Sequence, residues 1–316
     1  MDFRLTEDQR ALKRGVRELL DRRFGREALR AAVDAGSLDR ALWRELGAAG
    51  FFALRLPEEA GGAGLGLPEA VLLFEEAGRA LLPGPLIATH LAAGEVPGAA
   101  EGDAVVTAVD GGSGVVEWLD AADVVLGDAS GAVPLRSVDP LTPLHRVRRA
   151  GAVGEPGPDL VVPVSSLSSL SFPFSSPFSS LVSLLTAAEQ LGSAARSTEL
   201  AVAHARTREQ FGQPVGAFQA VKHLCAGMLV RTELARAAVY AAAVTADPVE
   251  IAGARLLADE AAVAGARDCL QVYGGMGFTW EADVHLHLKR AWVRAERGLG
   301  GAAAEELVAA RLWGDS

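Results

Sequence analysis

The feature that constrains the fold most is a series of long, alanine-rich segments with helical periodicity in the second half of the chain. These segments cover roughly residues 184–207, 217–244, 247–273 and 301–312. Apolar residues that recur every three to four positions lie on one face of a helix, and several such helices bury their apolar faces against one another. The second half of the chain is therefore predicted to form a helix bundle.

The N-terminal residues follow a helical pattern as well. Thr6 is followed three residues later by Gln9, which predicts a capping box at the start of a first helix. A second helical pattern covers residues 39–46, and a glycine-rich loop follows at 58–67. A third pattern covers residues 68–81, where the spacing predicts one packed face made of Val71, Leu72, Phe74, Glu75 and Gly78.

The middle of the chain has a different residue pattern. Short β-branched runs at residues 104–109, 115–119 and 123–126 are separated by Gly and Asp turns, which predicts a small β domain. The segment that follows is rich in serine and is interrupted by Pro173 and Pro177, so no helix is expected to run through both prolines. Two interpretations of this segment stay open: a linker or poorly ordered loop, or a local error in the reading frame.

These patterns predict a mostly α fold with a small middle β domain. The predicted domains are an N-terminal helical domain at 1–100, a short β domain at 101–164, a Ser/Pro-rich linker at 165–183 and a C-terminal helical bundle at 184–316.

Composition argues against several classes of function. The chain has 40 Asp and Glu against 30 Lys and Arg, without a Lys/Arg-rich run, so no nucleic-acid binding is expected. It shows neither an apolar run of membrane-spanning length nor the pattern of a signal peptide, so we expect no membrane partner and a cytoplasmic location. Cys225 and Cys269 lie in apolar helical patterns without ligand spacing, so both are interpreted as buried thiols and no metal site is expected.

Two short motifs lie where predicted helices meet. Residues 208–219 read Arg-Glu-Gln-Phe-Gly-Gln-Pro-Val-Gly-Ala-Phe-Gln, and residues 271–278 read Gln-Val-Tyr-Gly-Gly-Met-Gly-Phe. A guanidinium suits the geometry of a phosphate, and glycine allows a positive φ and the close approach of a ligand. Without further information, a solvated Arg208, a polar helix start at Gln219 and a simple helix-terminating turn at Gly274 stay open. We reject a Rossmann fold, because the glycines follow a helix rather than a strand.

In this order and spacing, the two motifs resemble the C-terminal signatures of the acyl-CoA dehydrogenase family. The resemblance covers nearly the whole chain and implies that family's fold: an N-terminal helical domain, a β domain and a C-terminal four-helix bundle. It also implies that residues of both motifs contact the pyrophosphate and adenosine side of FAD across a subunit interface. The matching cofactor-binding residues are Arg208, Gln210, Phe211, Gln219, Gln271, Gly274 and Gly275.

Two departures from the family concern the reaction itself. The family's chemistry needs a carboxylate base to remove the proton α to the thioester. The usual position of that glutamate falls on Leu299, and a second family position falls on Val182. Three carboxylates close to Leu299 are interpreted as solvated residues of a charged helix flank: Glu296, Glu305 and Glu306. The family's Thr-Glu-x-x-x-Gly-Ser-Asp stretch, which holds the flavin ring, has no counterpart between residues 102 and 163.

This pattern resembles the smaller, base-lacking subunit of the heterotetrameric (α2β2) acyl-CoA dehydrogenases of actinobacterial steroid side-chain catabolism. The resemblance implies that a second acyl-CoA dehydrogenase subunit supplies the catalytic Glu, so no catalytic residue is expected in this chain. It further implies FAD as cofactor, a bulky acyl-CoA as substrate and an electron-transfer flavoprotein as electron acceptor. Two alternatives stay open: a redox-inactive binding or scaffolding protein of the same fold, and a homo-oligomeric enzyme with an unexpected base such as Glu296.

Overall fold

The computed structural model of the protein describes residues 4–147 and 177–314. Its helices are α1 (Glu7–Arg23), α2 (Arg26–Ala35), α3 (Arg40–Ala48), α4 (Leu67–Ala80), α5 (Leu86–Ala92), α6 (Pro177–Thr207), α7 (Gln219–Thr245), α8 (Pro248–Tyr273), α9 (Val284–Ala295) and α10 (Gly301–Gly314). Its strands are β1 (Val106–Ala108), β2 (Val115–Glu117), β3 (Val124–Leu126), β4 (Val133–Leu135), β5 (Leu144–Arg146), β6 (Glu209–Gln210) and β7 (Gln213–Pro214). None of the helices within these two ranges has the length and apolar character needed to span a bilayer.

The chain divides into two units. The first unit comprises Met1–Arg26, Leu67–Leu82 and Ser183–Ser316, and the second comprises Glu27–Gly66 and Pro83–Val182. The first unit is helical: α1 packs on α4, α4 packs on α7, and α8 packs on α7, α9 and α10. The predicted mostly α fold with a small β region is confirmed.

Helix ends in the first unit follow simple capping rules. The Thr6 hydroxyl accepts from the Gln9 backbone N–H at 3.2 Å, and the Gln9 side chain accepts from the Thr6 N–H at 3.0 Å. This is the predicted capping box, which satisfies two backbone donors at the start of α1. At the start of α8, the Asp247 carboxylate accepts from two backbone N–H groups, and Pro248 occupies the first helical position.

Two glycines let α4 and α6 cross in direct backbone contact. A Cβ added at Gly78 would lie 2.0 Å from the Glu189 carbonyl oxygen, and one added at Gly192 would lie 1.8 Å from the Glu75 carbonyl oxygen. No side chain larger than hydrogen fits at either position unless a helix backbone moves. The crossing therefore brings the N-terminal segment of the unit against the C-terminal helices.

The second unit contains strands β1 to β5. β1 and β3 form a parallel pair, and β2, β5 and β4 form an antiparallel sheet in that order. The Asp123 carboxylate accepts from the Val105 N–H at 2.7 Å and pairs with Arg40 at 2.5 Å, so it joins the start of α3 to this sheet region. Trp43 of α3 is buried against Phe52, with ring centroids 4.7 Å apart.

The structure corrects the predicted start of α6 and adds three helices that the sequence patterns do not predict, α2, α5 and α9. α6 begins at Pro177, although the sequence pattern predicts a helical segment from residue 184 and a linker at 165–183. Proline is tolerated in the first turn of a helix, which explains the earlier start. The rest of that predicted linker, residues 165–176, lies outside the described residues. α9 was not predicted, because its buried face carries four polar residues that interrupt the apolar pattern: His285, His287, Arg290 and Arg294.

Candidate functional site

The first motif forms a tight hairpin directly after α6. β6 and β7 pair antiparallel, with Gln210 opposite Gln213, and the turn between them is made by Phe211 at φ 54° and Gly212 at φ 77°. Turns with two positive φ values match the twist of a two-stranded hairpin. A positive φ costs a phenylalanine roughly 1–2 kcal/mol. The turn leaves the Phe211 side chain 91% exposed, with its ring edge-on to Phe218 at 6.0 Å.

The polar residues of the first motif point to solvent. Arg208, Gln210 and Gln219 are all exposed. Gln210 Nε2 donates to the backbone oxygen of Glu209 at 2.7 Å, and Gln219 Nε2 donates to His223 Nε2 at 2.9 Å. Both bonds lie within the motif and the first turn of α7, and neither of them uses a glutamine amide oxygen.

The second motif ends α8 in an open turn. Gly274 adopts φ 62° and ψ −145°, a conformation that is essentially restricted to glycine, and its N–H donates to the carbonyl groups of Gln271 and Leu270. A Cβ added at Gly274 or Gly275 would have no heavy atom within 4 Å. The Gln271 side chain is exposed beside this turn. Backbone that is both open and free of side chains allows a ligand to approach closely.

A stacked ring pair brings the two motifs together. The rings of His204 in α6 and Tyr273 in α8 lie 4.0 Å apart with an interplanar angle of 16°. Burial and the nearby Arg208 guanidinium lower the pKa of His204 below its ordinary value, so the imidazole is neutral at pH 7. Tyr273 and Val215 also pack on one apolar cluster that includes Ala205 and Leu270. Residues far apart in the sequence thus form one exposed face of the helical unit.

The chemistry of this face suits a dinucleotide. The Arg208 guanidinium matches phosphate oxygens, the side-chain amides match ribose and base edges, and the exposed aromatic ring matches a base plane. The open glycine backbone allows the ligand to come close. The predicted residues therefore fit the adenosine-diphosphate half of FAD. Because the set is exposed apart from the half-buried Gly274, a group held here would lie at the surface of this chain and not in its core.

The positions predicted for a catalytic base are Leu299 and Val182, and both residues are half-buried. The Leu299 N–H donates to the hydroxyl of Ser183 at 3.2 Å, and Ser183 is fully buried. Neither Leu299 nor Val182 carries a carboxylate. The three other candidates are exposed, as predicted for solvated residues: Glu296, Glu305 and Glu306.

One buried carboxylate in the helical unit has partners that sequence reasoning did not find. Glu75 in α4 is 3% exposed, and its oxygens accept from Lys13 in α1, from Arg236 in α7 and from the Tyr240 hydroxyl, the last at 2.7 Å. Burial alone would raise the pKa of Glu75, but Lys13 and Arg236 outweigh burial and hold that pKa below its ordinary value. The cluster joins three helices and leaves no room for a substrate at the carboxylate.

A second buried ion pair has the same structural character. Arg294 in α9 meets Glu189 in α6 at 2.7 Å, and both side chains are almost fully buried. The ion pair fixes α9, whose C-terminal end leads to Leu299. In the sequence, the spacing of four residues between Arg290 and Arg294 could have indicated that both lie on one face of a helix, although it could not have identified the partner. Among the described residues, no group of three or more His, Cys, Asp or Glu side chains could hold a metal ion.

Comparisons with known proteins agree with this fold. Residues 6–101 match the family model for the acyl-CoA dehydrogenase N-terminal domain, and residues 183–307 match the model for the acyl-CoA dehydrogenase C-terminal domain. The chain is 36% identical over 304 residues to the acyl-CoA dehydrogenase IpdE2 of Mycobacterium tuberculosis. The alignment covers 90% of this chain and 91% of that protein.

Two solved structures are similar in fold. The ChsE4-ChsE5 complex from Mycobacterium tuberculosis gives a TM-score of 0.79 at 23% identity and covers 99% of each chain. A variant of the Tcur3481-Tcur3483 steroid ACAD gives a TM-score of 0.77 at 22% identity and covers 98% of each chain. At these identities, the likeness shows a common fold.

Proposed function

The chain belongs to the acyl-CoA dehydrogenase family of oxidoreductases that act on acyl-CoA, and we propose that it is the base-lacking subunit of an α2β2 enzyme. In this assembly it completes the FAD site of a second acyl-CoA dehydrogenase subunit, which supplies the catalytic Glu. The observation that carries the proposal is a contrast between two sets of positions. The residues that would reach a neighbour's cofactor are exposed, apart from the half-buried Gly274, whereas the two positions of the base are occupied by Leu299 and Val182, which carry no carboxylate.

The chain's own residues would bind and orient the cofactor. The Arg208 guanidinium would donate to pyrophosphate oxygens, and the amides of Gln210, Gln219 and Gln271 would donate to neighbouring phosphate or ribose oxygens. The Gly274 and Gly275 backbone would let the nucleotide come close, and the Phe211 ring would cover the adenine side. FAD, when bound, accepts the hydride that leaves the β carbon of the acyl group.

Neither of the two base positions of this chain would move a proton. Leu299 presents a backbone N–H that is already used by Ser183, and an aliphatic side chain cannot accept the proton from the α carbon. The α-proton must therefore be removed by a carboxylate of the other subunit. Desaturation of the Cα–Cβ bond then depends on both chains: one removes the proton, and the other positions the cofactor.

The relatives support the finer parts of the proposal. ChsE4-ChsE5 is a complex of two chains, and the Tcur3481-Tcur3483 enzyme is a steroid ACAD, which supports a second subunit and a bulky, steroid-derived acyl-CoA. An electron-transfer flavoprotein as acceptor, a cytoplasmic location and a domain division at residues 100 and 164, with the C-terminal helical domain beginning within α6, belong to the same proposal. The matched domain models, which end at residue 101 and begin at residue 183, support that division.

Co-expression tests the proposal directly. The chain is produced alone and together with the acyl-CoA dehydrogenase encoded beside it, and the flavin absorbance and the mass of each purified product are recorded. We expect a colourless chain alone and a yellow mixed tetramer with half as many FAD molecules as subunits. A yellow homo-oligomer that bleaches with an acyl-CoA would contradict the proposal. A colourless chain that binds acyl-CoA and does not assemble with the companion subunit would instead support the alternative, a redox-inactive binding protein.

A further inference from the structure

The stacked rings of His204 and Tyr273 connect the two motifs of the proposed FAD face. Both rings are half-buried, and their nearly parallel planes, 4.0 Å apart at 16°, are in van der Waals contact. His204 lies in the last turn of α6, and Tyr273 is the last residue of α8. Each ring therefore comes from the end of a helix at the point where one of the motifs begins or turns.

Short backbone connections link each ring to a cofactor-binding group. The His204 carbonyl accepts from the Arg208 N–H at 2.8 Å, and the Arg208 carbonyl accepts from the Val215 N–H at 2.7 Å, which closes the hairpin. On the other side, Tyr273 is followed directly by Gly274, whose N–H is held by the last turn of α8. A change in the spacing of the two rings would therefore change the spacing between Arg208 and the glycine turn.

The charge state of the pair favours this arrangement. The pKa of His204 lies below its ordinary value because of burial and the adjacent Arg208 guanidinium, and burial raises the pKa of Tyr273. Both rings are therefore neutral at pH 7. A neutral imidazole stacks on the phenol without repelling the guanidinium of Arg208, so the cation remains available to an anionic ligand.

We propose that His204 and Tyr273 are positioning residues that fix the distance between Arg208 and the Gly274–Gly275 turn, so that both contact the same FAD molecule. This inference rests on the proposed function. Neither ring needs to touch the cofactor. The pair acts through the residues on either side of it, and its effect is on the affinity for FAD.

The test measures FAD affinity of the mixed complex by titration of the flavin-stripped protein, together with its unfolding temperature. The variants are His204→Ala and Tyr273→Leu, which remove one ring each, and His204→Phe and Tyr273→Phe, which keep two stacked rings. Without the stack, binding must restore the spacing of the two motifs at a cost of about the energy of an aromatic pair, so we expect each ring deletion to lower FAD affinity about threefold to tenfold. The phenylalanine variants should bind FAD within about twofold of the natural chain.

A double variant and a control separate positioning from general packing. The His204→Ala/Tyr273→Leu double variant should lose no more affinity than the weaker single variant, because both changes remove the same contact. Trp280→Ala is the matched control: Trp280 also contacts a histidine ring, with centroids 4.8 Å from His285, but lies outside both motifs. Its FAD affinity should be unchanged.

Several outcomes would overturn the inference. Natural FAD affinity in both ring-deletion variants would do so, and so would a phenylalanine variant as weak as the alanine variant. If His204→Ala does not fold, Tyr273→Leu decides from the other side of the contact. Arg208→Ala is measured in parallel and separates the proposed function from the positioning role. Full FAD affinity in that variant would contradict the proposed function itself. Loss of FAD in Arg208→Ala with full affinity in the ring-deletion variants would contradict the positioning role alone.

Discussion

Two pairs of glycines in the helical unit differ in their surroundings: one pair lies in a crowded helix crossing and the other in an open turn. At the crossing of α4 and α6, a Cβ on Gly78 or Gly192 would lie within 2.0 Å of backbone oxygen. At the end of α8, a Cβ on Gly274 or Gly275 would have nothing within 4 Å. The first pair serves the packing of the chain with itself, and the second pair leaves backbone open to something outside the chain. The same residue type therefore marks the interior and the proposed binding face, and only the structure distinguishes them.

The comparison extends to the charged groups of the two regions. In the interior, Glu75 and Glu189 are buried and paired with cations of neighbouring helices. On the face, Arg208 is exposed, and its charge is available to a ligand. We therefore expect interior changes to reduce stability, and changes on the face to reduce FAD affinity while stability is kept.

The largest expected effect is at the helix crossing. Gly192→Ala places a methyl group 1.8 Å from the Glu75 carbonyl oxygen, so α4 and α6 must separate. We expect the free energy of unfolding to fall by about 4 kcal/mol or more, measured by urea denaturation or seen as loss of soluble protein. Gly253→Ala in α8 is the control, because its Cβ meets no atom within 4 Å. An equally stable Gly192→Ala variant would show that the crossing is looser than described.

Removal of the buried carboxylate should have the next largest effect. Glu75→Gln leaves Lys13 and Arg236 without their shared anion, and the expected loss is about 3–5 kcal/mol in the free energy of unfolding. The pKa of Glu75 is lowered in the folded state, so its stabilisation is present above its ordinary value of 4.5 and is lost as the pH falls through the lower folded pKa. The natural chain should therefore lose stability steeply in acid.

The dependence of stability on pH in the acid range tests the stabilising role of the Glu75 charge. Urea denaturation of the natural chain and of Glu75→Gln is compared between neutral pH and the acid range. The difference between the two proteins should shrink as the pH falls. A difference that stays constant would mean that the charge of Glu75 does not stabilise the fold.

An effect of intermediate size is expected on the face. Arg208→Ala removes charge-assisted hydrogen bonds worth about 1.5–3 kcal/mol, so the FAD affinity of the mixed complex should fall by roughly tenfold to a hundredfold. The unfolding of the flavin-free protein should not change. Arg206→Ala removes an exposed arginine from the same helix end and should bind FAD normally. Equal losses in the two variants would indicate a general electrostatic effect and would remove the contrast between the regions.

The smallest effect is expected from one methyl group on the open turn. Gly275 has a φ outside the left-handed region, so Gly275→Ala should change the free energy of unfolding by no more than about 0.5 kcal/mol. The methyl group stands where the nucleotide would approach, and we expect FAD affinity to fall about twofold to fivefold, measured by titration. Gly253→Ala again serves as control and should leave the affinity unchanged. A Gly275→Ala variant with natural affinity would place the nucleotide away from this turn.

Much of the fold could be predicted from local patterns. The capping box at Thr6 and the packed face that contains Glu75 were predicted from spacing, because a helix places residues three and four apart on one side. α9 was missed because its buried side is polar, and its ion pair with Glu189 depends on a helix about a hundred residues earlier in the chain. Pairing between distant segments has no local signal.

The candidate site shows the same division. The motif residues were identified from their order and spacing, and their roles toward FAD stay predictions. The contacts that organise the site were not predictable: the stack of His204 on Tyr273 and the bond from Leu299 to Ser183 each join residues that only tertiary packing brings together. Sequence motifs identify which groups are available, and the packing of helices decides where they lie.

The exposed turn at Phe211 has a consequence for how the protein must be produced. Phe211 is 91% exposed and Phe278 is 71% exposed, so the chain by itself carries large aromatic side chains in water. Such surfaces favour self-association. Under the proposed function, a cell that synthesised this chain in excess would accumulate unassembled subunits that tend to aggregate. Under the proposed function, we expect the two subunits to be made in matched amounts, and the yield of soluble protein to depend on the ratio in which the two chains are translated.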